Sequence, residues 1–399
     1  MPPLPAYTHF GGRHPETAAL ANCLAAVGVQ APHTGQPYTE ALLLGLGGGL
    51  GAGYILWEFQ EHHARVLVLG WRSNWQYPVK FLETTCQRIG ATVAVHETGS
   101  RAVALRHLQE ALAAGTPPLA WVDRAHMPYL QLPEVLKGHI GHLVAVAGHT
   151  GDSFLIDDLA AAPVRVTAAD LAAARARIAS YNNRLLIPVP VESPDLPASL
   201  LDGLRDCALN LLAKSDSFAL PTFQKWAKMM TDKKNKKGWP VLFASPRGLY
   251  GLLQSVFEGI ELDGAGGGGL RGLFADCLQE AAPLLNRPDL LPLADRYRSL
   301  AERWTALAEA ALPDRVPAFR QAKSLLRRKH DRLQAEGEAA VDGVRSLTAE
   351  LQALHQELNQ AFPLDALQTQ MLFTDLSDRL HALYAAEVDA ARALTETVA

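Results

Sequence analysis

GGRHPETAALANCLAAVGV, residues 11–29, reads as a helix that opens under constraint. His14 precedes Pro15, and proline suits the first helical position because it has no N–H to leave unpaired. Glu16 and Thr17 put a carboxylate and a hydroxyl in the first turn, where the helix dipole favours negative charge. Good helix formers continue from residue 18 to 27, and Gly28 supplies the stop. After a polar loop comes LLLGLGGGLGAGY, residues 42–54, with glycine at 45, 47, 48, 49, 51 and 53. Glycine at that density means backbone that bends where a Cβ would clash, or a close approach by something else.

Working outward, residues 1–190 alternate helical and strand-like pieces. Residues 65–70, 91–96, 118–123, 142–148, 153–157 and 184–191 read as strands, and 81–89, 100–114 and 168–179 as helices. Ser100 and Gly115 bracket the clearest helix, whose Leu105, Leu108 and Leu112 share a face. Helices early and strands late make this an α+β domain. Four prolines between residues 188 and 197 mark a linker. A helical domain over 198–312 and a pair of long helices over 315–399 follow, the latter broken by Pro363 and weakened at Gly337 and Gly343. Leu347, Leu351, Leu354 and Leu358 keep a three/four spacing. Their stripe needs a cover, either the preceding helices or a second copy in a homodimer.

Two motifs, HxETxAL at residues 14–20 and GLGGGLG at 45–51, resemble the N-terminal domain of the butirosin biosynthesis protein H family. The resemblance continues through FALPTFQKWA at 218–227, GW at 238–239, the glycine-rich run from 264 and RYRSLAERWTALA at 296–308, which match the helical domain that follows it. It implies a papain-like cysteine-protease fold over residues 1–190, then an all-α domain and a C-terminal helical hairpin. It also implies acyl transfer from a carrier-protein thioester to an amine. The family motif reads His-Cys-Glu-Thr with the cysteine as nucleophile; this chain reads His14-Pro15-Glu16-Thr17.

A papain-like site needs a thiolate at a helix N-terminus, a histidine, and a residue that orients it. The resemblance puts the histidine at His142, which opens HLVAVAG, and the orienting acid at Asp158, with Asp157 one residue off. A strand alternates faces, so only one of the two acids points at His142; Asp158 is the better placed. Cys23 lies eight residues past Pro15, ~12 Å down a helix, and reads as a small core residue, as does Cys86. Without the thiol two functions remain open. An amine can attack the thioester directly with His142 as general base, or the chain is an inactive pseudoenzyme whose cleft binds a small molecule or protein.

Around that site His14, Glu16, Thr17, Gly48 and Gly49 are candidate binding residues, and Asp123, at the end of a strand, is placed either to hold a substrate amine or to sit in solvent. Gly47-x-Gly49-x-x-Ala52 also fits a dinucleotide fingerprint if residues 53–64 form a helix, but no acid ends the next strand. His62-His63 and His139 with His142 are loose metal spacings without a completing carboxylate or thiol. Neither cofactor nor metal is expected. Lys233, Lys234, Lys236 and Lys237 concentrate positive charge in a chain of net charge −4 and suit either a solvated loop or an acidic carrier-protein partner. The net charge argues against nucleic acid. Apolar runs too short for a membrane, an opening MPPLPAYTHF without signal-peptide character, and four scattered cysteines fit a cytoplasmic protein.

Overall fold

The computed structural model describes residues 4, 6–59, 64–191, 195–263 and 266–399. Two compact units interleave along the chain. A sheet unit comprises Met1–Leu43, Leu82–Leu196 and Arg328–Thr348, and a helical unit comprises Leu44–Phe81, Pro197–Arg327 and Ala349–Ala399. In chain order the elements are α1 (Pro15–Ala26), β1 (Gln30–Ala31), β2 (Gln36–Pro37), α2 (Glu40–Leu46), β3 (Leu50–Phe59), β4 (Ala64–Arg72) and α3 (Pro78–Arg88). Then come β5 (Ala91–His96), α4 (Arg101–Ala113), β6 (Leu119–Asp123), β7 (Gly141–Thr150), β8 (Ser153–Asp157), β9 (Val164–Thr167), α5 (Ala168–Arg177) and β10 (Leu185–Pro190). The remainder is helical: α6 (Leu196–Leu211), α7 (Pro221–Thr231), α8 (Trp239–Leu242), α9 (Leu249–Glu261), α10 (Arg271–Leu284), α11 (Leu290–Ala311), α12 (Pro317–Glu336), α13 (Val341–Gln360) and α14 (Ala366–Thr397).

The sheet unit is an α+β structure around a six-stranded sheet of order β5-β10-β6-β7-β8-β9, antiparallel at every step. β6, β7 and β8 are buried almost throughout, which is why LAWVD, HLVAVAG and SFLID carry near-continuous apolar runs instead of alternating ones. α1 packs on β7 and α5 on β6. Leu108 and Leu112 of α4 meet Val144, Phe154 and Ile156 in the core beneath the sheet. β9 is a strand that residue pattern alone does not reveal. It is an edge strand of four residues, Val164 and Val166 inward and Arg165 and Thr167 outward, too short to set a period.

In the helical unit the glycine segment runs from α2 into strand β3, not into a helix, so the nucleotide-binding reading loses the helix it requires. β3 pairs with β4, setting Gly53 opposite Gly70. The Trp75 indole lies against both: a Cβ on either glycine would come within 2.3 Å of it. Gly49 adopts a φ of +64°, and a Cβ there would lie 2.6 Å from Cys207 Sγ, the same sulfur that accepts a hydrogen bond from the Leu50 N–H at 3.2 Å. A Cβ on Gly203 of α6 would stand 2.2 Å from the Gly45 carbonyl oxygen. The glycines are therefore the cost of burying a helix–turn–hairpin at backbone contact distance.

The first of the two long helices expected over 315–399, the one before Pro363, is itself two helices. Gly337 breaks it with a φ of +54°, where a Cβ would stand 2.4 Å from the Ala162 carbonyl oxygen, whereas Gly343 sits inside α13. α14 packs on α7 and α11, and its Leu372, Leu376, Leu380 and Leu383 are buried, as are Leu347, Leu351, Leu354 and Leu358 of the expected stripe on α13. Residues 192–194 of the proline-rich linker and 264–265 of the second glycine run lie outside the described residues. No described helix is long and apolar enough to cross a membrane.

Candidate functional site

The site is built at one end of the central strands. Val122 of β6 pairs with His142 near the start of β7, and β8 ends at Asp157 so that the chain turns immediately through Asp158. His142 Nε2 lies 2.7 Å from Asp158 Oδ1. The other carboxylate oxygen, Oδ2, accepts a hydrogen bond from the Tyr129 hydroxyl at 2.6 Å. Burial alone would raise the pKa of Asp158. The charge and hydrogen bond of His142, the Tyr129 hydroxyl and the nearby Arg124 outweigh it and hold the carboxyl below its ordinary value. An ionised Asp158 accepts from Nε2, so the lone pair of neutral His142 is on Nδ1. Among the described residues nothing hydrogen-bonds to Nδ1, and His142 is 8% exposed. The carboxylate thus orients the ring from one side and leaves Nδ1 without a hydrogen-bond partner, an arrangement able to accept a proton.

Asp157 faces elsewhere. It accepts hydrogen bonds from Tyr7 Oη at 2.6 Å, Asn22 Nδ2 at 2.8 Å and the Gly11 N–H at 3.1 Å, tying the N-terminal segment and α1 to the end of β8. Burial raises its carboxyl to about 6 in spite of those three donors, and the neighbouring Asp158 charge adds to the rise.

The start of α1 is a closed lock. His14 is the N-cap; its Nδ1 lies 3.1 Å from Thr17 Oγ1 and its Nε2 3.0 Å from Glu16 Oε2. Glu40, at the head of α2, accepts from the Arg13 and His14 N–H groups at 3.0 Å and from Thr17 Oγ1 at 3.2 Å. Hydroxyl, imidazole and carboxylate follow one another here as in a catalytic triad. Thr17 is nonetheless fully buried, so its hydroxyl fastens the helix and cannot meet a substrate. Pro15 is half-buried and offers neither nucleophile nor N–H. Cys23 and Cys86 are buried free thiols, burial pushing Cys23 well up and Cys86 up to about 12, so neither is a thiolate at neutral pH.

Three expected binding residues have other work. Asp123 is fully buried. Its carboxylate accepts from the Gly138 N–H at 2.7 Å and the Ala125 N–H at 3.3 Å and sits 3.1 Å from His126 Nδ1. It therefore caps the turn Arg124–His126 rather than holding a substrate amine. Gly48 and Gly49 are buried in the helical unit against Ser73 and Cys207, leaving no room for a ligand at their α-carbons. Lys233, Lys234, Lys236 and Lys237 are exposed on the turn after α7. Asp232 Oδ1 braces that turn by accepting from the Lys234 and Asn235 N–H groups at 2.9 and 3.0 Å, and none of the four lysines has an ion pair among the described residues. His62 and His63 lie outside the described residues, and among those described no three His, Cys, Asp or Glu side chains are grouped to hold a metal ion.

Tyr129, Tyr7, Asn22 and Glu40 complete these networks, and sequence reasoning does not single them out. Tyr7 lies 150 residues from the acid it serves, and no spacing rule links them.

Residues 14–159 match the family described as butirosin biosynthesis protein H, N-terminal, and residues 169–342 match a domain of unknown function (DUF4872). No curated protein matches the chain. The chain thus carries a butirosin-H-type N-terminal domain, and with it a papain-like fold, followed by the second domain in a mostly helical region. The first family is linked to acyl transfer in aminoglycoside biosynthesis.

Proposed function

We propose that this chain, with its butirosin-H-type N-terminal domain, forms amides by passing an acyl group from a thioester to an amine without a covalent enzyme intermediate. The observation that carries this reading is the His142–Asp158 pair with Nδ1 left open. His142 Nδ1 takes a proton as the amine nitrogen attacks the thioester carbonyl carbon. The tetrahedral intermediate expels the thiolate, the C–S bond breaks as the C–N bond stays, and the imidazolium returns its proton to the departing sulfur. Asp158 stabilises the imidazolium in between. Thioesters are activated enough that holding both reactants in line supplies much of the acceleration. The donor is an acyl group on a carrier protein. The exposed lysine turn at 233–237 offers the positive surface such an acidic partner would seek.

A second reading rests on Pro15 itself: the cleft binds a small molecule or partner and performs no chemistry. Amide formation from pantetheine thioesters and an amine panel, run with wild type and His142→Ala, separates the two. Turnover that falls at least ~100-fold in His142→Ala supports the transferase. Rates with both proteins no faster than the uncatalysed background leave the binding reading, and equal catalysed rates would count against both.

A further inference from the structure

Tyr129 lies in the loop between β6 and β7, beyond the reach of any motif, and is 2% exposed within the core of the sheet unit. Its ring packs among Val122, Met127 and Leu130 in the same cluster, while its hydroxyl reaches Asp158 Oδ2 at 2.6 Å. Burial and the adjacent Asp158 charge keep the phenol well above its ordinary value, so the oxygen stays protonated and is the donor in this contact. The loop that carries it is pinned at several points. Asp123 holds the Ala125 and Gly138 N–H groups, the Met127 and Leu130 N–H groups close successive turns on Arg124 and Met127 carbonyls, and Lys329 of α12 donates to the Gln131 carbonyl at 3.3 Å. The buried acid at the end of β6 thus acts two steps from His142: it shapes the loop that presents Tyr129.

We propose that Tyr129 is a positioning residue, its hydroxyl fixing the Asp158 carboxylate in the orientation that aims His142 Nδ1 outward. The inference rests on the His142–Asp158 reading above. A carboxylate has two equivalent faces and rotates about its last bond. With only His142 as partner it is free to do so, and the imidazole turns with it. A second donor on the opposite oxygen removes that freedom, and a charge-assisted O–H···O contact at 2.6 Å is strong enough to do it.

The test is nuclear magnetic resonance of the histidine ring nitrogens in wild type, Tyr129→Phe and Tyr7→Phe. It needs no turnover, so it stands apart from the fate of the acyl-transfer reading. Tyr129→Phe keeps the ring and removes the hydroxyl; Tyr7→Phe does the same to the equally short bond on Asp157 and serves as the control for a general loosening. We expect wild-type His142 to hold its neutral proton on Nε2. In Tyr129→Phe it should become a mixture of tautomers, while Tyr7→Phe leaves its ring-nitrogen signals in place. Signals for His142 that superimpose in wild type and Tyr129→Phe would overturn the proposal, as would an equal displacement in Tyr7→Phe. If thioester turnover is found, Tyr129→Phe should lower kcat about tenfold with KM unchanged.

Discussion

Asp157 and Asp158 are chain neighbours that point in opposite directions from the end of β8. Asp158 meets His142 and Tyr129, and Asp157 meets Tyr7, Gly11 and Asn22. The alternation of side chains at a strand end separates them, and their environments then separate their pKa values: Asp158 below its ordinary value, Asp157 up to about 6. One serves the histidine and the other fastens the N-terminal segment.

That divergence predicts an opposed pH dependence. Asp157 titrates near 3.8 when unfolded and near 6 when folded. Its proton is therefore bound more tightly in the fold, and its contribution to stability, full below 3.8, is lost as pH rises through about 6. Two units correspond to at most about 3 kcal/mol. Asp158 has the reverse sign, contributing above 3.8 and failing as pH falls through its lowered value. Urea unfolding between about pH 4 and 7 should show a decline on the Asp157 limb that Asp157→Asn flattens. Parallel curves for the two proteins would contradict the assignment.

Pro15→Cys places a thiol at the head of a twelve-residue helix, where the helix dipole lowers its pKa. Incubated with a pantetheine thioester, this variant should gain one acyl mass, detected on the intact protein, and Pro15→Cys with His142→Ala should gain it at least ~10-fold more slowly. Equal rates in the two would mean that His142 does not face the position of residue 15.

In the helical unit Arg271 and Glu387 form an ion pair at 2.7 Å with neither side chain exposed. The guanidinium lies over the rings of Trp71, Phe223 and Trp304, and the Trp304 indole N–H also donates to Glu387. Glu387→Ala strands a buried cation and should cost about 3–5 kcal/mol. Arg271→Met combined with Glu387→Leu should recover most of it, because the apolar pair fills the same aromatic cage. Denaturation midpoints check this; additive losses in the double variant would argue against the pairing.

Charge reversal of Lys233, Lys234, Lys236 and Lys237 to glutamate should weaken binding of an acidic carrier protein at least ~10-fold. The wild-type affinity should fall in the same way in about 0.5 M salt, where the screening length is about 4 Å. Binding measured by calorimetry that ignores both changes would remove the lysine turn from the account.

Much of this fold is legible in local pattern. β5 falls on Ala91–His96 and α4 starts behind the Ser100 cap as the residues indicate, because period and capping are properties of a few neighbours. His142 and Asp158 come from the family resemblance, and the histidine alone would pass for an ordinary strand residue. Gly48 and Gly49 show where pattern stops. Glycine density signals close approach, but whether a ligand or a thiol such as Cys207 approaches depends on a partner far along the chain. Asp123 is similar: a strand-end acid looks the same whether water or the Gly138 N–H receives it. Tyr129 and Tyr7 carry no spacing at all, and only the folded chain brings their hydroxyls to an acid.

The most direct measurement is rapid-quench analysis of wild type turning over a carrier-protein thioester with an amine, following amide product and intact protein mass together. The account predicts amide that accumulates at a rate proportional to amine concentration, with the protein mass unchanged at every time point. An acyl-protein adduct that forms and decays at the rate of turnover would contradict it, and so would the absence of any amide from a panel of thioesters and amines.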